Sequence, residues 1–156
     1  MIGPHAGFRF SGPNAAWGYK NIDPENYDRV VLMGPSHKVY LDFVAQTACS
    51  GWETPLGVIP IDTETVDKLE SASSEFKFSR IQTKFEENEH SLEMHCPYIR
   101  KIFKGKDIKM VPLMVGDIPK DKWSGYAKVL LPLFMDERTL FIVSTDFCHW
   151  GERFEF

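Results

Sequence analysis

Three short stretches are apolar at nearly every position: VVLM at 30–33, MVPLMV at 110–115 and LFIV at 140–143. Strands that alternate apolar and polar residues expose one face, whereas continuous apolar runs of this length suit strands covered on both faces. Each run ends at a small or turn-prone residue. Helical patterns lie between them, so the chain reads as α/β, with a mostly parallel sheet and flanking helices. A weaker alternating stretch at 42–47 adds a candidate strand. Residues 52–61 read as an extended or hairpin segment punctuated by Pro55, Gly57 and Pro60.

The spacing predicts one helix capped by Asp62 and running through Val66 and Leu69, and a second capped by Ser91 that carries Leu92, Ile99 and Phe103. A third is capped by Asp121 and runs through Val129. Pro97 falls inside the second pattern, where it is expected to kink the helix. No repeat, linker or long charge block divides the 156 residues, so residues 1–156 are taken as a single domain. Both ends read as cut: 1–5 reads as the last residues of a strand and its following loop, and the chain closes at 154–156 just after a strand and loop, without the helix that would cover that strand. A single domain that is part of a larger protein is therefore expected.

The chain carries 18 basic and 22 acidic side chains, a net charge of −4, and no basic platform for a phosphate backbone. Nucleic acid is thus not an expected partner. The local cluster of Arg100, Lys101, Lys104, Lys106 and Lys109 is read as closing a helix, where cations complement the dipole. Cys49, Cys96 and Cys148 are an odd, widely spaced set without a C-x-x-C pair, which predicts a reducing compartment and a cytoplasmic location. The longest apolar runs fall far short of the roughly 20 residues a membrane span requires.

All five histidines occupy punctuated positions. His5, His37 and His149 each follow a strand or strand fragment, so neighbouring parallel strands would bring three imidazoles into the crevice beyond their carboxyl ends. Neutral imidazole is the commonest side-chain metal ligand, and two histidines with one thiolate or carboxylate form an open site for iron, copper or zinc. His90 and His95, five residues apart, cannot share a helix face as a zincin pair does. Glu86, Glu87 and Glu89 are read as a solvated acidic loop. Phosphate-loop, dinucleotide and serine-elbow motifs do not occur. The neighbours Cys148 and His149 would point apart in an extended backbone, which disfavours a nucleophile dyad.

The strings PHAGFRFSG (4–12), GPSH (34–37), EHSLEMHCPY (89–98) and STDFCHWG (144–151) resemble those of the Memo family, mediators of receptor-driven cell motility, and the chain looks like the central half of a member. The resemblance implies a fold like that of class III extradiol non-haem iron dioxygenases, a bound iron or copper ion, and redox chemistry on a small-molecule substrate. It implies His5 and His37 as metal ligands, His149 as acid/base, Asp146 as a pocket residue and His90 near the same cleft as a further catalytic candidate. The family's third ligand, a cysteine in its C-terminal part, is not in this sequence. Phe8 and Phe10 stand where the family often has tyrosines, and Lys38 where it has a second histidine. The resemblance also implies an alternative: a catalytically inactive adaptor that docks phosphotyrosine peptides or signalling proteins in the same cleft.

Overall fold

The computed structural model describes residues 1–152; the reading of 154–156 as a cut end lies outside them. Eight strands form: β1 (Ile2–Gly3), β2 (Arg29–Pro35), β3 (Val44–Gln46), β4 (Gly51–Thr54), β5 (Gly57–Pro60), β6 (Phe78–Arg80), β7 (Lys109–Val115) and β8 (Thr139–Ser144). Six make one sheet in the order β1-β8-β2-β7-β3-β6, and β4 pairs with β5 as a separate hairpin. β1, β8, β2 and β7 run parallel to one another. β3 is antiparallel to β7 and carries β6 parallel beside it. The sheet is therefore mostly parallel, as its apolar runs predict. Val30, Val31, Leu32, Met110, Val111 and Leu113 have no solvent exposure at all, which is why neither β2 nor β7 alternates.

Among the described residues six α-helices flank the sheet: α1 (Phe8–Lys20), α2 (Thr63–Ser71), α3 (Thr83–Glu86), α4 (His90–Glu93), α5 (Cys96–Ile102) and α6 (Trp123–Phe134). Asp62 caps α2 as expected, its Oδ1 accepting from Thr65 N at 3.1 Å. α1 forms although Gly12, Pro13 and Gly18 lie within it and oppose a helix by propensity. Packing overrides that propensity: Ser11, Gly12 and Ala15 are buried, and Tyr98 of α5 donates to Gly12 O at 3.0 Å. Small residues let the two helices approach closely enough for that bond.

Two helix expectations are corrected. The pattern from Ser91 to Phe103 is not one kinked helix but two short ones, because Pro97 lies in the first turn of α5, where its missing N–H costs nothing. The cap is Glu89 rather than Ser91; its carboxylate accepts from Ser91 N at 2.9 Å. Asp121 likewise does not cap α6. It sits in a 3-10 turn, Lys120–Lys122, set by Pro119, and α6 begins after that turn without a side-chain cap. Of the basic cluster, Arg100 and Lys101 lie in the last turn of α5, whereas Lys109 opens β7.

Cys49, Cys96 and Cys148 are free thiols. Among the described residues no helix is long and apolar enough to cross a membrane. Near the amino end of β2, Arg29 bridges Asp62 at 2.7 Å and Asp136 at 3.0 Å. His5, His37 and His90 gather beyond the carboxyl ends of β1 and β2.

Candidate metal centre

Because β1, β8 and β2 are parallel neighbours, the segments that leave them emerge side by side. His5 follows β1 and His37 follows β2, while His90 arrives from the first residue of α4. Ligand-capable atoms of these three side chains all lie within 4.8 Å of one another, the one such group among the described residues. Their ring centroids are 5.1 Å (His5–His37), 5.5 Å (His5–His90) and 4.5 Å (His37–His90) apart.

α4 reaches the strand ends because Gly34 has no side chain. A Cβ there would meet Leu92 Cδ2 and Ser91 Oγ, each at 2.9 Å. Ser91 Oγ donates to Pro35 O at 2.7 Å and so pins the start of α4 to the end of β2. Ser144, the last residue of β8, donates its hydroxyl proton to Ser91 O at 2.6 Å. With that proton committed, Ser144 Oγ is the acceptor for His5 Nδ1 at 2.7 Å, and the His5 tautomer follows: Nδ1 carries the hydrogen and Nε2 keeps its lone pair.

Glu89 does the same for His37. Its Oε1 accepts from His37 Nδ1 at 2.9 Å and from Ser91 N at 2.9 Å, and lies 3.3 Å from His90 Nδ1. Its Oε2 accepts from His37 N at 2.5 Å. Burial pushes the Glu89 carboxyl up, but the hydrogen bonds from His37 and Ser91 outweigh it, and the group is held below its ordinary value. A hydroxyl behind His5 Nδ1 and a carboxylate behind His37 Nδ1 orient those two rings and leave their Nε2 atoms for a ligand role, the arrangement that metal-binding imidazoles use. Burial is also the largest influence on His5, lowering its pKa; Asp146 opposes this and the other two rings reinforce it. His5 is therefore biased toward the neutral form that can donate to a cation.

Asp146 closes the near side. Its Oδ1 accepts from His5 N at 2.5 Å and Ala6 N at 3.0 Å, and its Oδ2 lies 3.8 Å from His5 Nε2. His149, by contrast, is not in the group: Phe147 takes φ 58°, residues 147–150 are exposed, and His149 Nδ1 is 2.9 Å from Phe147 O. The site's position beside β8 is filled instead by Ser144 and Asp146, which leave the strand earlier than His149 does. The convergence of imidazoles thus involves His90 in place of His149.

The reading of Glu86, Glu87 and Glu89 as a solvated loop is corrected for two of the three: Glu86 and Glu89 are buried, at 9% and 2% exposure, and only Glu87 is exposed. Glu89 stands at the helix start, and an acceptor just before a short apolar helix is the capping signal that could have identified it. No pattern marks Ser144, whose role depends on the neighbouring strand. Phe8 and Phe10 are exposed; Phe8 stacks edge-on against Tyr98 at 5.8 Å. His95 points into the core, its Nδ1 2.8 Å from Tyr19 Oη.

Among proteins of known name, the chain is 38% identical to the memo-1 homolog of Caenorhabditis elegans over 156 residues, all of this chain and 44% of that protein. It is 37% identical to MEMO1 of Xenopus laevis and 35% identical to human MEMO1, each over 158 residues and 52% of the relative. The chain spans about half the length of these relatives. The Memo-like protein family model matches residues 1–156, and with four motifs in order and a sheet of the expected type, the chain belongs to the Memo-like family.

Proposed function

We propose that the chain is a metal-binding member of this family, in which Nε2 atoms of His5, His37 and His90 take one iron or copper ion for redox chemistry. The observation that carries it is the three-imidazole group, in which Nδ1 of His5 and Nδ1 of His37 are hydrogen-bonded to Ser144 and Glu89. The donor chemistry fits: neutral imidazoles suit iron and copper, and three of them leave coordination positions open. His90 takes the place that the family resemblance gives to a cysteine outside this sequence.

When bound, such an ion supplies Lewis acidity and one-electron chemistry. The chain's own residues do the rest. Ser144 and Glu89 hold the tautomers of His5 and His37. Asp146, with Oδ1 occupied by two amides, keeps Oδ2 available to hold a proton or orient a small substrate beside His5. His149, outside the ring group, is replaced by Asp146 as the proton-handling candidate.

The test is anaerobic loading with Fe(II) or Cu(II), followed by metal analysis and electron paramagnetic resonance. His5→Ala, His37→Ala and His90→Ala should each lose affinity by about tenfold or more, whereas His149→Ala should retain the ion. Equal retention by wild type and all three ring variants would overturn the reading. Exposed Lys38, next to His37, favours one competing use of the cleft, docking of a phosphotyrosine peptide in cell-motility signalling. Saturable peptide binding that survives a chelator and His90→Ala would replace the metal reading with that one.

A further inference from the structure

Where α1 packs on α5, the core holds an aromatic stack that takes no part in the histidine group. Tyr19 of α1 is 2% exposed and lies flat on Tyr98 of α5, with ring centroids 4.9 Å apart and planes 7° from parallel. Tyr98 is half-buried and meets the exposed Phe8 edge-on at 5.8 Å. Tyr19 Oη also lies 2.8 Å from Nδ1 of His95, a ring that is 1% exposed. A Cβ on Gly3 would meet His95 Cε1 at 2.9 Å, so the pair packs against the strand that delivers His5.

The direction of the Tyr19–His95 bond follows from counting partners. His95 Nε2 has none, and the bond to His95 is the one hydrogen bond of the phenol among the described residues. Were Nδ1 the donor, both the phenol hydrogen and the Nε2 lone pair would be buried unsatisfied. With Tyr19 donating, only one group is left without a partner, the less costly arrangement. His95 Nδ1 is thus a lone pair aimed at a phenol proton. Burial keeps that ring neutral, its pKa lowered to about 4, and burial raises the Tyr19 pKa so that the phenol holds its proton.

We propose that Tyr19 is a redox-active tyrosine that gives one electron to a high-potential one-electron oxidant by way of Tyr98 and its phenolic proton to His95 Nδ1. The products are a neutral tyrosyl radical, an imidazolium and the oxidant reduced by one electron. Return of one electron from a reductant, with the proton moving back along the same bond, restores the phenol. An oxidised phenol is a strong acid, and a buried one without a base in contact would strand a charge in the core. His95 is that base. Tyr98 donates instead to the carbonyl of Gly12 at 3.0 Å, which cannot keep a proton, so Tyr98 relays the electron and Tyr19 retains the radical. This inference stands apart from the metal reading and uses none of His5, His37 and His90.

The test oxidises the whole metal-free chain with flash-generated tris(bipyridine)ruthenium(III) and freezes it for electron paramagnetic resonance. A persistent tyrosyl signal is expected. It should vanish in Tyr19→Phe, fall by about tenfold or more in His95→Phe, where no base takes the proton, and form more slowly in Tyr98→Phe. Tyr40→Phe, which removes a fully accessible phenol, should leave it unchanged. Should Tyr19→Phe or His95→Phe unfold, as circular dichroism would reveal, the wild-type radical decides: after exchange into heavy water, pulsed resonance should find one deuteron hydrogen-bonded to the phenoxyl oxygen. Absence of the signal from wild type, its survival in Tyr19→Phe, equal yield in folded His95→Phe, or a radical without that deuteron would each overturn the proposal.

Discussion

At the scale of single residues, two histidines close in sequence have opposite situations. His90 is half-buried at the start of α4 and faces two other rings. His95, five residues on, is 1% exposed, bonded to Tyr19, with its Nε2 unpartnered. Burial drives its pKa down to about 4. The unfolded chain protonates this histidine near 6.5 while the folded chain does not, so the unfolded state binds more protons between those values. Stability is therefore full above about pH 6.5 and falls as pH drops toward 4, by on the order of 3 kcal/mol from this group. Urea denaturation at pH 7 and pH 5 measures the slope. His95→Gln should flatten it, and an unchanged slope would show that other groups set the acid sensitivity. The motif containing both residues is plain in the sequence, but which ring faces the cleft is not: that depends on Pro97 starting a second helix, a detail that periodicity alone cannot separate from a kink.

At the scale of elements, the position of α4 depends on the absence of one side chain. Gly34 lies where β2 passes under Ser91 and Leu92, and a methyl group there would force apart the elements that hold His37 and His90. Gly34→Ala should cost about 1–3 kcal/mol of stability by overpacking and weaken metal retention more than its stability loss explains. Comparing thermal melts with metal titrations checks this; intact metal affinity in a destabilised variant would mean the rings hold their arrangement without α4. The strands β2 and β7 are legible because two-sided burial leaves nearly continuous apolar runs, and β8 is legible from a run of the same kind. α1 is not, because its glycines and proline argue against a helix locally, and only contact with Tyr98 explains them. Glu89 is half-legible: its capping position can be read, but its burial comes from β2 and His37, more than fifty residues away.

At the scale of the whole molecule, the sheet has one apolar strip open to water. Val143 and Phe141 share a face of β8, Phe134 of α6 packs on Phe141 at 5.4 Å, and Ile2 is the register partner of Val143. Ile2, Phe134 and Val143 are exposed. Exposed contiguous apolar surface binds hydrophobic dyes, so the folded protein should enhance dye fluorescence, and Val143→Lys should reduce it at unchanged helicity. Equal fluorescence from both would place the binding surface elsewhere. The general architecture, α/β with histidines beyond one sheet edge, follows from the order of apolar runs and punctuated loops. The reversal of β3 and β6 does not, since strand direction at the far edge is set by pairing rather than composition. Glu89 binds the His37 ring and also lines a cavity with Glu53, Glu86, Glu87 and Glu93, so neither compartment can change there alone. Replacing that one carboxylate with an amide would loosen the imidazoles on one side and thin the negative field on the other, a single substitution with two separable readouts.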